Sequence, residues 1–326
     1  MKVLTALVAA SIVGGWALAA QSPAGAPAAS RETRELLDVL PAGTKAGQFV
    51  LTADGQRTFF VNDAGEAWLY DRTKKTNARV AAGPLWDLSV SPKSDVLAYT
   101  KGGDRRGDQF VWSLALDPAT GLARGSEQRL STNQGDVPSI SPDAKLVAFA
   151  RDDPSGVGQS AVVVPTGGGA EKVVAAGVPS SVANIRWTPD GKTLYISVNS
   201  PVACQPEWSC LPLATQDLRQ PPGSIRRVSV SGGAVTIVAP ARSPLPGLSP
   251  DGTTLMFLEA GAASPPGAPR RWVVTGADGA PRDTVTLPAT QSPIGWLSGS
   301  TVLISSTERN QPTKVLTMDV SAGRVR

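Results

Sequence analysis

Short apolar runs recur along the chain, each behind a turn of nearly constant composition. Thr52-Ala53-Asp54-Gly55 precedes TFFV, Ser91-Pro92-Lys93-Ser94 precedes VLAY, and Ser141-Pro142-Asp143-Ala144 precedes LVAF. Thr188-Pro189-Asp190-Gly191 precedes TLYIS, Ser249-Pro250-Asp251-Gly252 precedes TLMFL, and a worn sixth copy reads GWLSGSTVLIS from Gly295 to Ser305. The runs are apolar on successive positions, which predicts strands covered on both faces. Ser or Thr at the first turn position, Pro at the second and Gly at the fourth suit a type I turn. Asp at the third can bond the neighbouring backbone. Each turn therefore joins a short preceding strand, such as LWDLSV or NIRW, to the apolar strand behind it.

A third strand follows in every unit: AWLYD, FVWSLALD, SAVVVPT, SIRRVSVS, RWVVTGA and KVLTMDV. A poorer fourth follows in most, as in ARVAA, EQRLS, EKVVAA, VTIVAP and DTVTLP. The unit is thus about fifty residues long, with variable loops. Four antiparallel strands per unit, with central strands buried on both faces, describe a propeller blade. A two-sheet sandwich would leave one face wet and show cleaner alternation. The expected fold is all-β: a six-bladed propeller of four-stranded blades. After KVLTMDV only Arg324 to Arg326 remain for an outer strand. Glu35 to Leu40, ELLDVL, is expected to supply it and tie the termini together; Leu36, Leu37 and Leu40 also fit a short helix.

The form S-P-D-G-x-x-L-x-F, followed by a strand and a Gly-rich turn, resembles the TolB-type propeller repeat, a relative of the WD-type blade. The resemblance covers the propeller part, Leu36 to Arg326, and implies fold and compartment more strongly than any particular partner. Similar repeats form the propeller of prolyl-oligopeptidase-type enzymes. Those add a hydrolase domain with a G-x-S-x-G nucleophile and a His, and this sequence contains neither.

The N-terminus adds a compartment. Lys2 precedes an apolar run from Val3 to Ala20 that ends in small residues, with Ala17-Leu18-Ala19 fitting a signal-peptidase site. Residues 1–20 are expected to be a signal peptide; a retained anchor is the alternative, and cleavage fits the small-residue end better. Residues 21–34 then form a flexible lead-in and 35–326 the propeller. This places the protein in the periplasm or outside the cell, with the membrane touched only through the signal peptide.

Composition narrows the chemistry. There is no histidine. That removes Ser-His-Asp and Cys-His nucleophile systems and His-ligated metals, and the usual proton carrier near neutral pH. The formal charge of +4 is mild and gives no nucleic-acid signature. Cys204 and Cys210, the two cysteines, suit a disulfide in an exported chain. They lie in a long insertion, Asn199 to Gly223, that also holds Trp208. Trp208 reads either as a preorganised binding anchor or as a plug over the channel. The other tryptophans of the mature chain, Trp68, Trp86, Trp112, Trp187, Trp272 and Trp296, recur at equivalent strand positions and are expected to pack between blades.

Connections between second and third strands are polar and unequal in length. They share one face with the blade-to-blade loops, and that face is the expected binding surface. Its candidates, besides Trp208, are Arg105, Arg106, Arg151, Asp152, Asp153, Glu259, Arg270, Glu308 and Arg309, with Asp104 and Asp108 in the same loop as Arg105 and Arg106. The leading expectation is a monomeric, non-enzymatic scaffold that binds a protein or cell-envelope component, without a cofactor or a metal. A carbohydrate or small-molecule sensor, and a His-free propeller lyase or hydrolase working through carboxylates, are the alternatives. A loop calcium ion also stays open.

Overall fold

The computed structural model describes residues 33–35, 39–41, 48–102, 109–155, 158–178, 180–199, 223–259, 267–307 and 314–321. Every regular element among them is a β-strand. After β1 (Thr33–Glu35), the first sheet runs in order through β2 (Gln48–Leu51), β3 (Arg57–Val61), β4 (Ala67–Asp71) and β5 (Thr76–Ala81). The second holds β6 (Leu85–Val90), β7 (Val96–Gly102), β8 (Gln109–Ala115) and β9 (Gln128–Arg129). The third holds β10 (Asp136–Ile140), β11 (Leu146–Asp152), β12 (Gln159–Pro165) and β13 (Lys172–Val178).

Seven strands then form one continuous sheet: β14 (Val182–Trp187), β15 (Thr193–Val198), β16 (Gly223–Ser229), β17 (Thr236–Leu248), β18 (Thr254–Glu259), β19 (Arg270–Gly276) and β20 (Pro281–Leu287). The last sheet has the order β1, β23 (Lys314–Asp319), β22 (Thr301–Ser306), β21 (Gln291–Trp296). The result is an all-β, propeller-like arrangement of antiparallel sheets, four of four strands and one of seven. The expectation of six separate blades meets β17, a 13-residue strand. Its first part pairs with β16 and its second with β18, with Ala241 paired to both Gly223 and Glu259.

The repeated turn forms as its residues require. Gly55 N donates to Thr52 O at 2.8 Å, and Thr52 Oγ1 and Gln56 N both donate to Asp54 Oδ1. The same bonds recur at Ser141/Asp143, Thr188/Asp190 and Ser249/Asp251. The fourth turn position is left-handed in five of the turns: Gly55, Gly191 and Gly252 occupy it, but so do Ser94 (φ 57°) and Ala144 (φ 60°). Glycine takes that conformation without the Cβ penalty.

The strands behind the turns are buried on both faces, as their runs predict. In β15, Leu194, Ile196 and Val198 pack against Ala148 and Val163 of the third sheet, while Tyr195 turns the other way toward Leu255 and Phe257. Similar clusters join the first sheet to the second, the second to the third, and β18–β19 to the last sheet. Each fully buried Leu, Ile or Phe in such a cluster contributes about 1.5–3 kcal/mol.

The N-terminal closing strand is present but displaced. β1 pairs antiparallel with β23 through Thr33–Met318, Arg34–Thr317 and Glu35–Leu316. It starts inside the segment expected to be lead-in, and of the expected Glu35 to Leu40 only Glu35 lies in it. Pairing is a backbone property, whereas the apolar spacing of ELLDVL reflects burial: Val39 is 4% exposed. Residues 36–38 lie outside the described set, as do residues 1–32 with the expected signal peptide.

Candidate functional site

Strands β2, β6, β10, β14, the second half of β17, and β21 are the inner strands, and from β2 to β21 successive ones are neighbours. Five of them enter their sheets irregularly. Register shifts lie between Trp86 and Ser89, Asp136 and Ser139, Val182 and Asn184, Ser243 and Gly247, and Pro293 and Gly295. An extra residue in one strand bends it and re-aims the side chains around it. At two of these bulges a non-glycine backbone is left-handed: at Asp87 (φ 51°), a residue type that tolerates it, and at Val137 (φ 45°), a β-branched residue that resists it.

Four of the bulges, those of β6, β10, β14 and β17, border a cavity of about 570 Å³. Inner strands supply Gln48, Asp87, Asp136, Val137, Val182, Ala183 and Leu245; the ends of second strands supply Ala150, Arg151, Asp152 and Asn199; third strands begin at Gln109 and Gln159. Gln134, Gly135 and Ser181 complete the wall. This is the face shared by the second-to-third-strand loops and the sheet-to-sheet connections. It is also where the sequence placed the binding surface. A second cavity of about 550 Å³ meets the first at Gln48 and extends along Asn62, Asp63, Gly65, Pro84 and Trp86.

The polar side chains of this mouth hold one another. Gln48 Nε2 donates to Asp87 Oδ1 at 2.8 Å, and Asp87 N donates to Gln48 Oε1 at 2.6 Å. Thr100 Oγ1 reaches the other Asp87 oxygen at 3.3 Å. Arg151 Nη1 pairs with Glu171, whose other oxygen accepts Thr132 N at 2.6 Å and Thr132 Oγ1 at 2.9 Å. Arg151 Nε is buried without a partner among the described residues. Gln159 bridges the wall, donating to Asp152 at 3.5 Å and accepting Val182 N at 2.7 Å.

Of the residues singled out in the sequence, Arg151 and Asp152 therefore line the cavity. Asp153, one position on, serves the loop instead. It accepts from the Ser155 and Ser160 hydroxyls and from Ser155 N and Gly177 N, and these bonds hold its carboxyl far below the usual range. Glu259 pairs with Arg271 at 3.3 Å, and neither it nor Arg270 belongs to the cavity wall. Trp208, Cys204, Cys210, Asp104, Arg105, Arg106, Asp108, Glu308 and Arg309 lie outside the described residues.

The tryptophans divide. Trp187 and Trp272 are buried in inter-sheet clusters, and Trp112 and Trp296 pack against such clusters. Trp86, half-buried, also borders the second cavity. Sequence reasoning missed Gln48, Asp87, Gln109, Asp136, Gln159 and Asn199. The available signal was a polar residue inside an otherwise apolar inner strand, as in LWDLSV. Among the described residues no group of three or more acidic, Cys or His side chains is placed to hold a metal ion.

Comparison with solved structures finds the same architecture. TolB from Acinetobacter baumannii superposes with a TM-score of 0.53 at 18% identity, over 77% of this chain and 56% of that one. A putative TolB from Agrobacterium tumefaciens gives 0.53 at 17%, over 76% and 82%. An oligogalacturonate lyase from Vibrio parahaemolyticus gives 0.54 at 12%, over 83% and 76%. The chain thus spans little more than half of the first of these. At such identities the likeness defines the fold, a TolB-like β-propeller scaffold. No family model and no curated relative matches the sequence.

Proposed function

We propose that this chain is an exported, non-catalytic six-bladed propeller that binds a protein or cell-envelope partner at the mouth formed by its inner strands. Six blades follow when the seven-stranded sheet is read as two four-stranded blades sharing β17, which pairs on both sides. Export rests on the signal-like residues 1–20, and the TolB-like fold agrees with it. The observation that carries the binding reading is the lining of the mouth: amides of Gln48, Gln109, Gln134, Gln159 and Asn199 among a few charges. Side-chain amides donate and accept together, which suits a peptide backbone.

Catalysis is the weaker reading because the mouth carboxylate best placed for it, Asp87, is held by Gln48 and Thr100. Asp136 and Asp152 on the same wall keep a His-free enzyme as the second reading. Photo-crosslinking residues at Asn199, on the mouth, and at Asp190, on the opposite turns, test the proposal in whole cell envelopes. A discrete adduct from Asn199 alone is the expected result. Equal labelling from both faces rejects the mouth as the binding surface.

A further inference from the structure

Two residues before each turn, the inner strands carry Val50, Ser89, Ser139, Arg186, Gly247 and Gly295. Their cross-strand partners are Phe59, Ala98, Ala148, Tyr195, Met256 and Leu303, so the six positions are equivalent. One of them is charged; the rest are small or aliphatic. Ile185 and Trp187 pack on the third sheet, and strand alternation puts Arg186 on the opposite face. There its partner Tyr195 packs with Leu248 and Phe257.

Arg186 is half-buried, and burial pushes its guanidinium below the ordinary value. A buried charge is costly unless it is paired. Yet among the described residues the Arg186 side chain makes no hydrogen bond and no ion pair, in contrast to Arg151, which pairs with Glu171. Asn184, two residues earlier and on the same face of β14, also has an unbonded side chain among the described residues. The strand leads from the mouth: Ala183 lines the cavity, and Arg186 lies about 10 Å further along at ~3.3 Å per residue. At the equivalent positions of the next two inner strands, Gly247 and Gly295 carry no side chain to fill the space.

We propose that Arg186 and Asn184 form an oxyanion site inside the ring, entered through the mouth, for a small ligand bearing a carboxylate or a phosphate. Guanidinium and carboxamide donors match the paired oxygens of either group. The ligand is small rather than a polyanion, because Asp87, Asp136 and Asp152 line the entrance.

The test is thermal unfolding of the whole chain in dilute amine buffer, titrated with inorganic phosphate or with glutarate. At least one anion should raise the wild-type Tm saturably, and which one does so identifies the ligand group. Arg186→Met should unfold no lower than wild type without anion and lose the response, while Arg186→Lys and Asn184→Ala should weaken the midpoint at least tenfold. The inference fails if wild type does not respond, or if Arg186→Met responds equally. If Arg186→Met does not fold, unchanged midpoints in Arg186→Lys and Asn184→Ala overturn it.

Discussion

The two faces of this propeller are built from the same strands but to different standards. On the turn face the backbone repeats itself, with the same bonds from Ser or Thr to Asp at residues 52–54, 141–143, 188–190 and 249–251. On the mouth face five of the six inner strands bulge, each in its own way, and Asp87 and Val137 hold positive φ. The turn face sets the register of every sheet, so its chemistry is fixed by folding. The mouth inherits a frame already determined and can vary in side chain, in bulge position and in strain. Functional residues are therefore to be sought where the repeat departs from itself.

The largest expected effect tests whether both faces depend on one shared core. Trp187, the last residue of β14, is 7% exposed, packs against the third sheet, and donates its indole N–H to Ser139 O at 2.8 Å. Trp187→Ala should cost about 3–5 kcal/mol in denaturant unfolding, the range for a buried Trp. A loss under about 1 kcal/mol, the scale of an ordinary point substitution, would mean that the inter-sheet packing does not carry the ring.

Removal of the closing strand should cost less. β1 offers three paired residues, each backbone bond netting about 0.5–1.5 kcal/mol. A chain starting at residue 36 should therefore be about 2 kcal/mol less stable than one starting at residue 31. Equal melting temperatures would show that β23 needs no outer partner.

Acid distinguishes the faces next. The Thr52, Ser141 and Thr188 hydroxyls, then the backbone N–H groups of Gln56, Lys145 and Lys192, hold Asp54, Asp143 and Asp190 below their ordinary values. A carboxyl depressed on folding adds stability that is fully present above its unfolded pKa, about 3.9. That stability is lost as pH falls through the folded value. The Tm of the wild type should drop from about pH 4 downward, and the triple Asp54→Asn, Asp143→Asn, Asp190→Asn variant should show a flatter profile over that window. Parallel profiles would remove the turn carboxylates as the acid-sensitive element.

Much of this frame was legible in the chain. The turn is local, its residues sit at fixed offsets, and the apolar runs behind it reflect burial on both faces, so strand order and the fold class followed. The unbroken β17 was harder, because Pro240, Pro244 and Pro246 interrupt its sequence. Proline lacks the ladder donor and reads as a loop or an edge, yet here the strand pairs around its prolines through register shifts. The mouth was legible only where charge marked a loop, at Arg151 and Asp152. Gln48, Asp87 and Asp136 are brought together by the packing of successive inner strands, and the bulges of β6 and β10 displace the last two by amounts that no repeat alignment contains.

The smallest effects give the sharpest contrast, because they set one strained residue on each face side by side. Ala144 takes φ 60° where three other turns have glycine. A left-handed non-glycine residue costs about 1–2 kcal/mol, so Ala144→Gly should stabilise by about 0.5–1 kcal/mol after the glycine entropy cost. Val137 takes φ 45° at the mouth, is β-branched, and packs partly against the core cluster of the third sheet and β14. Val137→Gly relieves more strain but also removes packing of about 1 kcal/mol or more, so its net stability change should lie near zero. If the strain positions the mouth, as strained backbone at binding sites commonly does, Val137→Gly should weaken crosslinking from Asn199 while Ala144→Gly leaves it intact. Stabilisation of equal size by both glycines, with crosslinking unchanged, would make the bulge at Val137 an accident of the repeat rather than a feature of the site.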